Sequence, residues 1–319
     1  MRAIAIAALG LMLAALSVAA QEWPTKAVRI IVPFGPGSTP DMVGRLIGDY
    51  LQQKLGQPFV IENRPGASAN TGTDAVAKAE PDGYTIGISL GGPLAINALL
   101  FAKMPYDPAR DLALITMLTT QPSALVVNAA LGVNSIGELI DLLKKNPGKY
   151  NYGSIGNGSL SHLAMEALAL KSGTKMVHIP YPGSPQAMTA VLRNDVQMAC
   201  LPAISVTPHV ASGQVTILAV SLGRRSVMLP GVPTLKEAGV DVEVDAWNGL
   251  IAPARTSEPI ITKIHDAVVG ALAEPAIREK LATQYMEPAP TTPAQFRARI
   301  DADLARWSPV IKALGLKAD

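Results

Sequence analysis

Short β-rich runs alternate with stretches of helical periodicity along this chain. VRIIVPF (28–34), PFVIENR (58–64) and YTIGISL (84–90) are bounded by Gly, Pro and polar residues and predict strands. After the first, Met42, Val43, Leu46, Ile47, Tyr50, Leu51 and Leu55 fall on one helical face, with Thr39 as expected cap and Pro40 at the first helical position. Gly66 to Gly72 opens a second helix that runs through Ala79. Leu112 to Val127 predicts two strands around Gln121-Pro122, a candidate crossing between domains. Ser135, with Glu138 three residues on, caps a helix over Ile136 to Lys145, and Asn146-Pro147-Gly148 ends it.

The alternation then repeats. YNYGS (150–154), MVHIPY (176–181), VQMACLP (196–202) and VTILAVS (215–221) predict strands. Helices are predicted over Leu160 to Lys171, over Pro185 to Arg193 and, shorter, near Thr207. Asn248 to Ala254 predicts a return strand, and amphipathic helices around Ile260–Ala273 and Pro293–Leu314 close the chain. Strand–helix alternation of this kind points to an α/β fold with parallel strands.

The junctions carry the candidate chemistry. Three strands run into Gly/Ser loops that open helices: Gly35 to Asp41, Ser89 to Asn97, and Ile155 to His162. Each loop offers main-chain N–H groups and small hydroxyls at a helix start, which is an anion site. None contains Lys or Arg, and GxxxxGK[ST] is absent, which argues for a small carboxylate over a phosphate. His162, His178, His209 and His265 show no metal-ligand spacing, so neither a metal nor a cofactor is expected. Gly87-Ile88-Ser89-Leu90-Gly91 matches the nucleophile elbow GxSxG and keeps open a secreted serine hydrolase using Ser89, with Asp111 or Asp195 and His209 or His265 as partners. The competing reading is a strand-to-helix loop that lines a binding cleft.

Composition narrows the class. The 319 residues suggest two domains, and a formal charge of +2 gives no footprint for nucleic acid. Residues 1–20 read as a signal peptide: Arg2, an apolar run from Ala3 to Leu16, and small residues Ser17 to Ala20, with cleavage expected near Ala20. An exported, periplasmic protein follows. The single cysteine, Cys200, sits in an apolar run and is expected to be an inert buried thiol.

Eight segments in order resemble the Bug family of extracytoplasmic solute receptors, the binding proteins of tripartite tricarboxylate transporters: WPTKAVRIIVPFGPGSTPDMVGR (23–45), VIENRPGASANTGTDAVAKAEPDGYTI (60–86), INALLFAKMPYDPARDL (96–112), NYGSIGNGSLSHLAMEAL (151–168), HIPYPGSPQAMTAVLRNDV (178–196), PHVASGQVTILAVS (208–221), LPGVPTLKEAGV (229–240) and WNGLIAPA (247–254). The resemblance implies a type II periplasmic-binding-protein fold: two α/β domains, 24–124 plus 250–319 and 125–249, with a ligand cleft between them. It implies a monomer that hands a small organic carboxylate to integral membrane transporter subunits. A ligand-sensing partner of a membrane signalling protein is the alternative, and it differs only downstream. Two departures stand out. The usual Gly pair, hydroxyl residue and Asp become Gly37-Ser38-Thr39-Pro40-Asp41, and the usual Phe-Asp ending of strand 196–201 becomes Ala199-Cys200.

The expected ligand-binding set is Gly37, Ser38, Thr39 and Asp41 on the first loop, Ser89 and Gly91 on the second, and Ser154, Asn157, Gly158 and Ser159 on the third. Tyr181, Gly183 and Ser184 join them at the strand end that this fold places beside the cleft. Trp247 is either a pocket wall or core. Asp41 either accepts from a ligand donor or complements the helix dipole. The small apolar surface near Ala199, Cys200 and Leu201 is expected to take the ligand's body. With almost no net charge and no cationic side chain on the loops, a mono- or dicarboxylate is favoured over citrate.

Overall fold

The computed structural model describes residues 23–317. The proposed signal peptide and its cleavage site at Ala20 lie outside them. Strands β1 (Val28–Val32), β2 (Phe59–Asn63) and β3 (Thr85–Leu90) are parallel, as are β5 (Asn151–Ser154), β6 (Val177–Pro180) and β7 (Met198–Pro202). β4 (Leu112–Asn128), β8 (Val215–Val220), β9 (Asp245–Pro253) and β10 (Glu287–Pro288) complete the sheet. Its order is β2-β1-β3-β9-β4-β7-β5-β6, with β8 and β10 also paired to β4.

The expected pair of strands at 112–127 is one 17-residue strand. Up to Pro122, β4 pairs antiparallel with β9; from Ser123 onward it pairs with β7 and β8. Pro122 sits where the partner changes, so its missing N–H interrupts no continuous ladder. β4 therefore runs through both halves of the molecule.

Helices cover both faces of each half. On one face of the first half, α1 (Thr39–Leu55), α8 (Glu258–Ala273) and α9 (Pro275–Ala282) bury Val43, Ile47, Leu51, Ile264, Val268 and Leu281 against Ile30, Ile88 and Leu250. On the other, α2 (Asn70–Ala77) and α10 (Pro293–Leu314) bury Val76, Phe296 and Ile300 against Ile31, Trp247 and Ile251. α3 (Asn97–Leu100) follows a wide turn over Gly92–Ile96. In the second half, α4 (Ile136–Lys145) and α5 (Leu160–Ser172) cover Leu125, Tyr152 and Cys200, while α6 (Ser184–Leu192) and α7 (Ala203–Val210) cover Val126, Ala199 and Leu201. α10 serves both halves. Its later turns place Trp307 and Ile311 in the core of the second half, although the expected boundary gives the whole helix to the first domain.

Candidate functional site

The register fixes where the loops meet. Leu90 at the end of β3 pairs with Asn248, three residues from Asp245, which itself pairs with Pro122 at the crossing. On the other side, Pro202 at the end of β7 pairs with Ser123, and Ser154 at the end of β5 pairs with Pro180. The carboxyl ends of both parallel sets thus point toward the crossing strands from opposite sides. In α/β proteins ligands occupy the crevice outside the carboxyl ends of strands.

In the first loop, α1 starts one residue earlier than expected. Ser38 is the N-cap, Thr39 the first helical residue and Pro40 the second. An N-cap hydroxyl accepts from the second or third helical N–H. Pro40 has no N–H, and the Ser38 Oγ atom is buried without a partner. Asp41 turns back instead. Its two oxygens accept from the Gly37 N–H, Asn63 Nδ2 and two Arg45 nitrogens at 2.9–3.0 Å. Burial alone would raise this carboxyl, but those hydrogen bonds and the Arg45 charge outweigh it and hold it below the usual carboxylate range. With its acceptors committed and 2% exposure, Asp41 clasps the loop.

The third loop is supported from beneath. Ser154 is fully buried, bonded to His178 Nε2 at 2.6 Å and to the Gly156 N–H at 3.1 Å, so its hydroxyl holds the loop from beneath. Ser159 caps α5 and also donates to the Gly156 carbonyl at 2.7 Å. His162 Nδ1 accepts from the Gly158 N–H at 3.0 Å, which requires a neutral ring. The His162 and His178 rings stack at 3.9 Å, with Tyr152 beside them. Burial pushes both imidazoles down to about 4, and for His178 the neighbouring His162 adds to the effect against the opposing pull of Glu166. Gly158 has φ +71°, and a Cβ there would overlap the Leu100 side chain. Asn157 is the exposed tip of the loop.

What remains open at these loops is main chain. The N–H groups of Thr39 and Asp41 on the first loop, and of Asn157, Leu160 and Ser161 on the third, have no partner among the described residues. They lie at the starts of two helices of 17 and 13 residues. Phe34, Ile155 and Leu160 at these loops, and Ile204 at the start of α7, are partly exposed apolar side chains.

The second loop is different. Ser89 is fully buried and its Oγ lies 3.0 Å from Thr73 Oγ1, so its hydroxyl is engaged inside the fold. Gly91 packs against the Trp247 indole, and Trp247, 1% exposed, donates to Asp303 at 2.8 Å. Of the two readings of Trp247, the structure supports core. Tyr181 overlies Gly153 and lines a surface hollow of about 420 Å³ along α6, which starts at Ser184 after the extended Gly183. The apolar surface expected at Ala199, Cys200 and Leu201 is also corrected: all three are fully buried in β7. Burial raises the Cys200 thiol to about 12, consistent with an inert group. Sequence reasoning named Gln121 and Asn248 only as parts of strands; both sit at the crossing, and each has a buried carbonyl oxygen without a partner.

Comparison with known proteins agrees with this geometry. Residues 43–316 match the family described as Tripartite tricarboxylate transporter family receptor. Protein BugT of Bordetella pertussis is 35% identical over 302 residues, covering 94% of this chain and 93% of that protein. The structure of R. palustris Rpa4515 with adipate is 33% identical, with a TM-score of 0.83 over 93% of this chain and 99% of that one. MatC (Rpa3494) from Rhodopseudomonas palustris with bound malate is 29% identical, with a TM-score of 0.78 over 91% of this chain and 100% of that one. The α/β fold is thus shared with periplasmic solute-binding proteins, and the chain belongs to the tripartite tricarboxylate transporter receptor family.

Proposed function

We propose that this chain is an exported periplasmic receptor that captures a small mono- or dicarboxylate between its two halves and delivers it to the membrane subunits of a tripartite transporter. One observation carries the reading. Five main-chain N–H groups, at two helix starts on opposite sides of the crossing, have no partner among the described residues. Such groups bind carboxylate oxygens through fixed dipoles. The loops bear no Lys or Arg, so a tri-anion would be desolvated without compensating charge. Phe34, Ile155, Leu160 and Ile204 offer apolar contact for the ligand's body. Relatives with adipate and with malate support the carboxylate class. Delivery to transporter subunits rests on the family.

Thermal melting of the mature protein against a panel of organic acids tests the reading. Mono- and dicarboxylates are expected to raise the melting temperature by mass action, and citrate to have little effect. Stabilisation by citrate alone would overturn the ligand class, and no response to any carboxylate would overturn the receptor reading.

A further inference from the structure

Asn248 and Gln121 are 3% and 7% exposed, and the Asn248 Oδ1 and Gln121 Oε1 atoms are buried without a hydrogen-bond partner. An unpaired buried amide oxygen is costly, so two at the same crossing call for an explanation. The register supplies one. Asn248 pairs with Leu90 on one side and Thr119 on the other, and Gln121 pairs with Ala246. Residues 246, 248 and 250 of β9 share one face, and Leu250 on that face packs in the core that α1 covers. Both amides therefore project from the side of the sheet that carries α1, close to the crossing. The unpartnered Ser38 hydroxyl and the free N–H groups of Thr39 and Asp41 begin that helix. The orientation of Asn248 is set by its neighbours: Nδ2 donates to Thr119 Oγ1 at 2.9 Å, and Thr119 directs its own hydroxyl at Met286 Sδ, 3.8 Å away. The oxygen is thus the free end.

We propose that Gln121 and Asn248 form an acceptor subsite that reads a hydroxyl, or another hydrogen-bond donor, carried by the carboxylate ligand. This rests on the receptor reading above and sharpens its ligand class. Two carbonyl oxygens repel a second carboxylate at short range but accept from a hydroxyl. A hydroxy acid can place its carboxylate on the start of α1 and its hydroxyl on the crossing strands. An acid lacking the hydroxyl leaves both oxygens unpaired or must retain water there.

Isothermal titration of the mature protein with acids that differ by one hydroxyl tests this: malate against succinate, 2-hydroxyglutarate against glutarate, lactate against propionate. The hydroxylated member of at least one pair is expected to bind about tenfold tighter, the upper end of what its one donated hydrogen bond contributes. Gln121→Met and Asn248→Leu are expected to weaken binding of the hydroxy acid selectively, so that the ratio within the pair falls toward one. Gln121→Met also removes an unpaired buried oxygen, so without ligand it is expected to melt no lower than the parent. It therefore serves as the test even if Asn248→Leu fails to fold. Equal affinities within every pair, or a ratio that survives in Gln121→Met, would overturn the subsite while leaving the receptor reading intact. If no acid in any pair binds, the receptor reading falls and takes the subsite with it.

Discussion

Three consecutive non-glycine residues, Ala67, Ser68 and Ala69, hold φ of 46°, 53° and 72° ahead of α2. L-residues in this region cost roughly 1–2 kcal/mol each. The turn is held from outside: Asn97 Nδ2 donates to the Ser68 carbonyl at 3.0 Å and to Asn70 Oδ1 at 2.7 Å, and Tyr106 donates to the same Asn70 oxygen at 3.0 Å. Ala67 is exposed, so its methyl group contributes little packing. Ala67→Gly is therefore expected to stabilise the protein by about 0.5–1 kcal/mol, the relieved strain less the greater freedom of glycine in the unfolded chain. Urea unfolding measures it, and a lowered midpoint would show that the methyl group packs. The sequence reads Gly66 to Gly72 as the opening of a helix, but the left-handed turn found there depends on Asn97, a partner about thirty residues away, which local pattern does not reveal.

At the scale of elements, the stacked His162 and His178 join α5 to β6 beneath the third loop. Tyr152 and Glu166 face them, with the Tyr152 hydroxyl donating to Glu166, and Ser154 holds His178. Both imidazoles are pushed from 6.5 down to about 4 in the folded protein. A base whose folded pKa is lowered gives its full stability above the unfolded value and loses it as pH falls. The melting temperature is therefore expected to decline between pH 6.5 and 4 as the unfolded chain takes up protons that the folded pair refuses. His162→Asn is expected to melt lower at neutral pH but with a shallower decline; melting curves from pH 4 to 8 with the parent's slope would refute the pair as its source. The strand–helix order and the Gly/Ser junctions were legible in the sequence, because periodicity and turn chemistry are local. Which hydroxyls face the cleft was not. Ser154 is claimed by His178, and Asp41 by Arg45, Asn63 and Gly37, through contacts set by packing.

For the whole molecule, the question is how far the two halves are one cooperative unit. Besides the crossing strands, α10 joins them, with Phe296 and Ile300 in the first core and Trp307 and Ile311 in the second. It is clamped at the crossing, where Arg299 binds Asp245 on β9 and Asp303 one turn along, and Asp303 also accepts from Trp247. Burial raises the Asp303 carboxyl despite Arg299, so the group depends on these partners to stay ionised. Sequence periodicity identified α10 but not this double service, since an amphipathic stripe does not say which core it meets. Trp307 is 2% exposed, and truncating a buried Trp costs about 3–5 kcal/mol. In Trp307→Ala the remaining indoles, Trp23 and Trp247, both report from the first half. If α10 couples the halves, their fluorescence transition is expected to move down together with the far-ultraviolet circular dichroism transition, at one common midpoint. An indole signal that melts at the parent temperature while the circular dichroism transition falls earlier would show instead that the second half unfolds alone, and that α10 is a tether between two independent units.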